Sequence, residues 1–229
     1  MNASPRFVVI AAVFVTCLIT ANIIAVKVVT IGPFTLPAAI FVFPLSYVFG
    51  DVLTEVYGYH EARKVIWLGF ICNLLFVAFA WIGQKLPAAP FWGDQAAYES
   101  ILGYAPRLLA ASFLGYLAGE FANSFILAKM KIITRGRWLW TRTIGSTLVG
   151  QGLDTLIFIT LAFVGTPAFA FVMVLHHWLA KIAIEAAATP LTYVAVNSLK
   201  KREGTDTYDR ETNFNPFVIW NRQRKAISR

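Results

Sequence analysis

Charge is what this chain has least of. Only 14% of its 229 residues are Asp, Glu, Lys or Arg, and 58% are hydrophobic. A soluble domain carries about 25% charged and 45–50% apolar residues, so a water-exposed globular fold is excluded. Cysteine is nearly absent. Cys17 and Cys72 each sit in an apolar run without a paired spacing, which removes a disulfide framework and a thiolate metal site. Of three histidines, His176 and His177 are adjacent. On a helix they diverge by about 100°, so they do not make a two-histidine metal face. A glycine-rich phosphate loop is missing too, and with it any expectation of ATP hydrolysis by this chain. No nucleophile–base spacing appears, so an enzyme is not expected, nor is a cofactor or a metal.

What is present is a series of long apolar runs. They mark six spans: Phe7–Val29, Phe34–Tyr57, Val65–Gln84, Pro106–Leu127, Thr143–Val164 and Ala168–Val196. Turns fall at Gly32-Pro33 and Thr166-Pro167. The expected fold is all-α, a polytopic integral membrane protein with six transmembrane helices. Residues 1–196 form its transmembrane domain, and residues 197–229 form a polar tail, expected to be partly disordered. One side of the membrane collects sixteen lysines and arginines against three on the other, with Lys181 left inside. Both termini are therefore expected in the cytoplasm. The basic loop around Lys129, Lys131, Arg135, Arg137 and Arg142, with Trp138 and Trp140, reads as an anchor at the lipid headgroups and not as a nucleic-acid surface. Gly115 and Gly119 form a GxxxG-like pair suited to close helix contact, and a homodimer is expected on that ground.

Against this background the few polar residues stand out. In the second span Tyr47, Asp51 and Glu55 follow one another at i+4 steps. Glu120, Asn123 and Ser124 share a face of the fourth span, and Gln151, Asp154 and Thr155 share one of the fifth. In the sixth, His177, Lys181 and Glu185 again step by four, which also permits a self-neutralising Lys181–Glu185 pair. Asn22 lies deep in the first span, whereas Lys27 is placed to snorkel. The substrate-binding set is thus Asn22, Tyr47, Asp51, Glu55, Glu120, Asn123, Gln151, Asp154, Lys181 and Glu185. Glu55 and Glu120, nearer the span ends, also suit an inner gate. So many carboxylates against one lysine exceed what closed ion pairs require. The remainder must be hydrated, protonated or matched by donors on a substrate. Carboxylates and amides together suit a small planar polar molecule such as a nucleobase, with Tyr47 offering a stacking face.

Four blocks carry a resemblance as well: FPLSYVFGDVLTEVYGYHEAR, GEFANSFILAKMK, STLVGQGLDTLIF and KIAIEAAATPLTY. Together they resemble the vitamin-uptake-like family of queuosine precursor transporters, its enterobacterial members included. The resemblance implies a multi-pass protein of the bacterial inner membrane. It also implies import of 7-cyano-7-deazaguanine and 7-aminomethyl-7-deazaguanine for salvage synthesis of the tRNA nucleoside queuosine. A membrane-embedded binding subunit served by a separate ATPase is the rival reading.

Overall fold

Where the chain enters its first helix, the local chemistry is plain. Ser4 accepts a hydrogen bond from the Phe7 N–H at 3.1 Å and Pro5 occupies the first turn, so α1 (Pro5–Ile24) starts there. The computed structural model describes residues 4–31, 34–103, 106–165 and 171–218. The Gly32-Pro33 and Thr166-Pro167 turns and the last eleven residues of the tail lie outside them.

The second span does not form as one helix. After α1 the chain makes an antiparallel hairpin of β1 (Val28–Ile31) and β2 (Phe34–Pro37), with Val28 opposite Pro37 and Ile31 opposite Phe34. A 3-10 turn (Ala38–Phe41) then leads into α2 (Phe43–Val52), which continues as a π-helical turn over Leu53–Tyr57. The reason is legible in the residue types. Val28, Val29, Thr30, Ile31 and Thr35 favour extended backbone, and Pro44 belongs in the first turn of a helix, not its interior. The hairpin also ends α1 short of the expected Val29.

Gly58 then breaks the chain direction at φ 84°. The remaining helices are α3 (Tyr59–Lys85), α4 (Gln95–Leu102), α5 (Pro106–Ile133), α6 (Leu139–Phe163) and α7 (Phe171–Glu203). Glu61 and Lys85 complement the dipole at the two ends of α3. Among the described residues, α1, α3, α6 and the Val174–Glu203 part of α7 are long and apolar enough to cross a membrane. That is four of the six spans expected. The α2–π segment is too short, since a crossing takes about 20 residues. α5 has 28 residues, ample by length, but carries Glu120, Lys129 and Lys131.

Burial is inverted relative to a soluble protein. Leu75, Phe79, Leu156, Leu179 and Val194 are exposed, while Asp51, Glu55, Glu120, Gln151 and Glu185 are buried. An apolar exterior of this extent faces lipid. α5 and α6 pack backbone to backbone. A Cβ on Gly119 would stand 2.7 Å from Asp154 Cβ and 2.9 Å from the Gly150 carbonyl, and one on Gly150 would meet Asn123 Cβ at 2.7 Å. The small-residue pair is thus used inside the protomer, so it offers no ground for a subunit contact.

The helix of the sixth expected span, α7, runs past Val196 to Glu203, and residues 204–218 pack on the bundle. Residues 204–218 form a strap across one end of the bundle. The Thr207 N–H donates to the Val56 carbonyl at 3.2 Å, and the Tyr59 N–H donates to Asp209 Oδ2 at 2.9 Å. Arg63 donates to the Asn213 and Asn215 carbonyls, and Trp67 to that of Pro216. This part of the tail is ordered because buried donors on α3 take these acceptors.

Candidate functional site

The close α5–α6 approach is what positions the central polar residues. Because Gly115 and Gly119 lack side chains, the Asp154 backbone lies directly against α5. Its carboxylate then meets Lys181 of α7, whose Nζ donates to Asp154 Oδ2 at 2.5 Å. The Lys181–Glu185 pair allowed by sequence spacing is not what forms. Lys181 reaches across to α6, and both Glu185 oxygens are left buried without a hydrogen-bond partner among the described residues.

One turn of α5 beyond Gly119, Asn123 Nδ2 donates to Asp51 Oδ1 at 2.8 Å, joining α5 to α2. Thr54 and Ser124 add a second tie through their hydroxyls at 3.1 Å. Asp51 lies within electrostatic reach of Glu185, and Glu120 within reach of Asp51, Asp154 and Lys181. Tyr47 meets the Gln151 side chain and lies near Asp154, Glu120 and Glu185. Eight predicted residues are therefore brought together: Tyr47, Asp51, Glu120, Asn123, Gln151, Asp154, Lys181 and Glu185. Asn22 is half-buried near the end of α1, engaged in a contact of its own.

Within this cluster the acceptors outnumber the donors. Asp51 Oδ2, Glu120 Oε2, Gln151 Oε1 and both Glu185 oxygens are buried without a protein partner among the described residues. An unmatched buried acceptor of this kind costs about 1–3 kcal/mol, more if charged.

Glu55 separates from that group. Its Oε1 accepts from Arg142 Nη2 at 2.8 Å and Lys200 Nζ at 2.6 Å, with Lys131 Nζ 3.6 Å away. Lys131 also donates to the Glu55 and Thr207 carbonyls and to Asp206 Oδ1. This ion cluster locks the π turn, α5, α6, α7 and the strap together at one end. Reading Lys131 and Arg142 as headgroup anchors is corrected by their burial, 2% and 1% exposed. Sequence position suggested lipid because both stand at helix ends. The only hint of burial was a glutamate of the second span, Glu55, that needed a cation. Among the described residues no group of three or more His, Cys, Asp or Glu is placed to hold a metal.

A family model described as "Putative vitamin uptake transporter" matches residues 37–195, more than half of the chain. The chain belongs to this family of vitamin uptake transporters. It is a membrane transport protein and not an enzyme. A Bacillus subtilis (strain 168) protein named "Probable queuosine precursor transporter" is 33% identical over 190 residues, covering 81% of this chain and 82% of the relative. An Escherichia coli (strain K12) protein named "Queuosine precursor transporter" is 27% identical over 139 residues, 61% of this chain and 59% of the relative. The likeness thus extends beyond enterobacteria. No solved structure matches the chain.

Proposed function

We propose that this protein imports queuosine precursors, 7-cyano-7-deazaguanine and 7-aminomethyl-7-deazaguanine, across the bacterial inner membrane for salvage synthesis of queuosine. The observation that carries the reading is the cluster of unpartnered acceptors on Asp51, Glu120, Gln151 and Glu185, beside a single cation already held by Asp154. A deazaguanine is rich in donors: ring N–H groups and an exocyclic amine. A site built to hydrogen-bond such groups rejects analogues that lack them by orders of magnitude, because its own polar atoms are then left unmatched. Lys181 and the amides of Asn123 and Gln151 supply donors for the base's carbonyl oxygen.

In this reading the end closed by Glu55, Arg142, Lys131 and Lys200 faces the cytoplasm, in line with the excess of lysine and arginine there. α5 and the α2–π segment complete a six-membered bundle around the acceptors. A broken element at the substrate level is a recurrent transporter device, since backbone freed by a break can line a cavity. Assembly as a homodimer, each protomer with its own site, would use the lipid-facing helices, and the protein's mass in nanodiscs tests it.

The test of function is uptake of labelled 7-cyano-7-deazaguanine by vesicles containing only this protein, without ATP. Saturable uptake, competed by 7-aminomethyl-7-deazaguanine and not by adenine, is the expected result. Uptake that requires an added ATPase partner would favour the binding-subunit reading, and no uptake or binding of either base would overturn the proposal.

A further inference from the structure

Among the buried carboxylates described, Glu185 differs from the others in one respect. Asp51 has one oxygen engaged by Asn123, Asp154 by Lys181, and Glu55 by Arg142 and Lys200. Glu185 has both oxygens buried and both without a donor among the described residues, on a residue only 1% exposed. It lies within electrostatic reach of Asp51, Glu120 and Tyr47, so it faces the acceptor cluster and not the lipid. Its backbone is held as well: Thr189 Oγ1 donates to the Glu185 carbonyl at 2.9 Å, one residue before Pro190 inside α7.

A carboxylate with two free oxygens on one side offers two parallel acceptors about 2.2 Å apart, the geometry that a fork of two N–H donors satisfies at once. In a deazaguanine that fork is the amidine-like edge, the ring N–H beside the exocyclic amine. We propose that Glu185 is the specificity-determining residue of this transporter, accepting both N–H groups of that edge. The inference rests on the deazaguanine reading above and adds which residue discriminates the base from a relative lacking the amine. The other candidates carry less of that load. Asp51 and Asp154 each hold one oxygen in a protein contact that would have to break before a bidentate pair could form, and in Glu120 only Oε2 is both buried and without a partner among the described residues.

The experiment compares two ligands on the purified full-length protein in nanodiscs: 7-cyano-7-deazaguanine, and the same molecule without its exocyclic amine. The parent binds the first at least about 100-fold more tightly, as expected when a site's acceptor is left unmatched. Glu185→Gln keeps one acceptor but turns an amide N–H toward the amine. It weakens the deazaguanine by about 100-fold and the amine-free analogue by less than about threefold, so the ratio collapses. Analogue binding at parental strength also shows that the variant is folded. Glu185→Asp keeps both oxygens and retains the ratio at reduced affinity. Should Glu185→Gln fail to fold, Glu185→Asp decides alone. Loss of the ratio in Glu185→Asp, or its survival in Glu185→Gln, overturns the assignment while leaving the deazaguanine reading intact. A parent that binds neither ligand overturns both.

Discussion

Arg142 Nη2 donates to Glu55 Oε1 at 2.8 Å, with 1% of one side chain and 0% of the other exposed. Arg142 is further held by the Thr134 hydroxyl and the Arg137 carbonyl, so it arrives at Glu55 already oriented. A buried pair of this kind is weak evidence for stability in itself, but removing one partner strands the other.

Arg142→Met should therefore lower stability by about 3–5 kcal/mol, the cost of leaving a buried charge short of its partner. Glu55→Gln should be similarly harmful, because three cations would then face a neutral amide. The double variant should cost less than the two singles added, since it removes both halves of the pair. Unfolding in detergent, read as a double-mutant cycle, checks this. Strict additivity would mean that Arg142 acts through Thr134 and Arg137 alone.

Acid should loosen the strap through Asp206. Burial pushes that carboxyl up, but the hydrogen bonds from Lys131 and Lys200 together outweigh it and hold it below its ordinary value. A carboxyl with a lower pKa folded than unfolded stabilises the fold once ionised. Its contribution is complete above the unfolded value of about 3.9 and is lost as pH falls through the folded one. Attachment of the strap by this group should hold from about pH 7 to pH 5 and weaken below about pH 4. Melting temperature against pH should fall more steeply on the acid side in the parent than in Asp206→Asn. Equal slopes would remove Asp206 from the account.

Gly119→Ala should damage both fold and site. Its Cβ would meet Asp154 Cβ at 2.7 Å and the Gly150 carbonyl at 2.9 Å, and neither can move without separating α5 from α6. Overpacking of this kind costs about 1–3 kcal/mol, and it displaces the carboxylate that Lys181 grips. Gly93→Ala, with nothing within 4 Å of the added carbon, is the control. Loss of melting temperature and of ligand affinity together in Gly119→Ala alone is expected. Parental behaviour would show that the helices have slack.

Most of the candidate cluster was legible because hydrocarbon makes polar residues conspicuous. Asp51, Glu120, Gln151, Asp154 and Glu185 need no structure to be noticed, and helical spacing groups them by face. Partner choice was not legible. Sequence spacing offers Lys181 its own helix neighbour Glu185, whereas the glycine contact between α5 and α6 brings Asp154 nearer. The region before Asp51 misled for a different reason. Apolarity measures affinity for lipid or core and does not separate one long helix from a hairpin, a 3-10 turn and a short helix of equal hydrophobicity. Lys131 and Arg142 misled in turn because a cation at a helix end reads alike whether it meets a headgroup or a buried glutamate.

The central claim is that the acceptor cluster holds the base. Binding of 7-cyano-7-deazaguanine to the folded protein tests it most directly, in the parent and in Asp51→Asn, Glu120→Gln, Asp154→Asn and Lys181→Met. Losing one member of a buried, hydrogen-bonded charged contact costs about 2–5 kcal/mol, or about 30- to 4,000-fold in affinity. At least three of the four variants should fall in that range. Three of the four binding like the parent would show that the carboxylates hold the helices together and that the base is bound elsewhere.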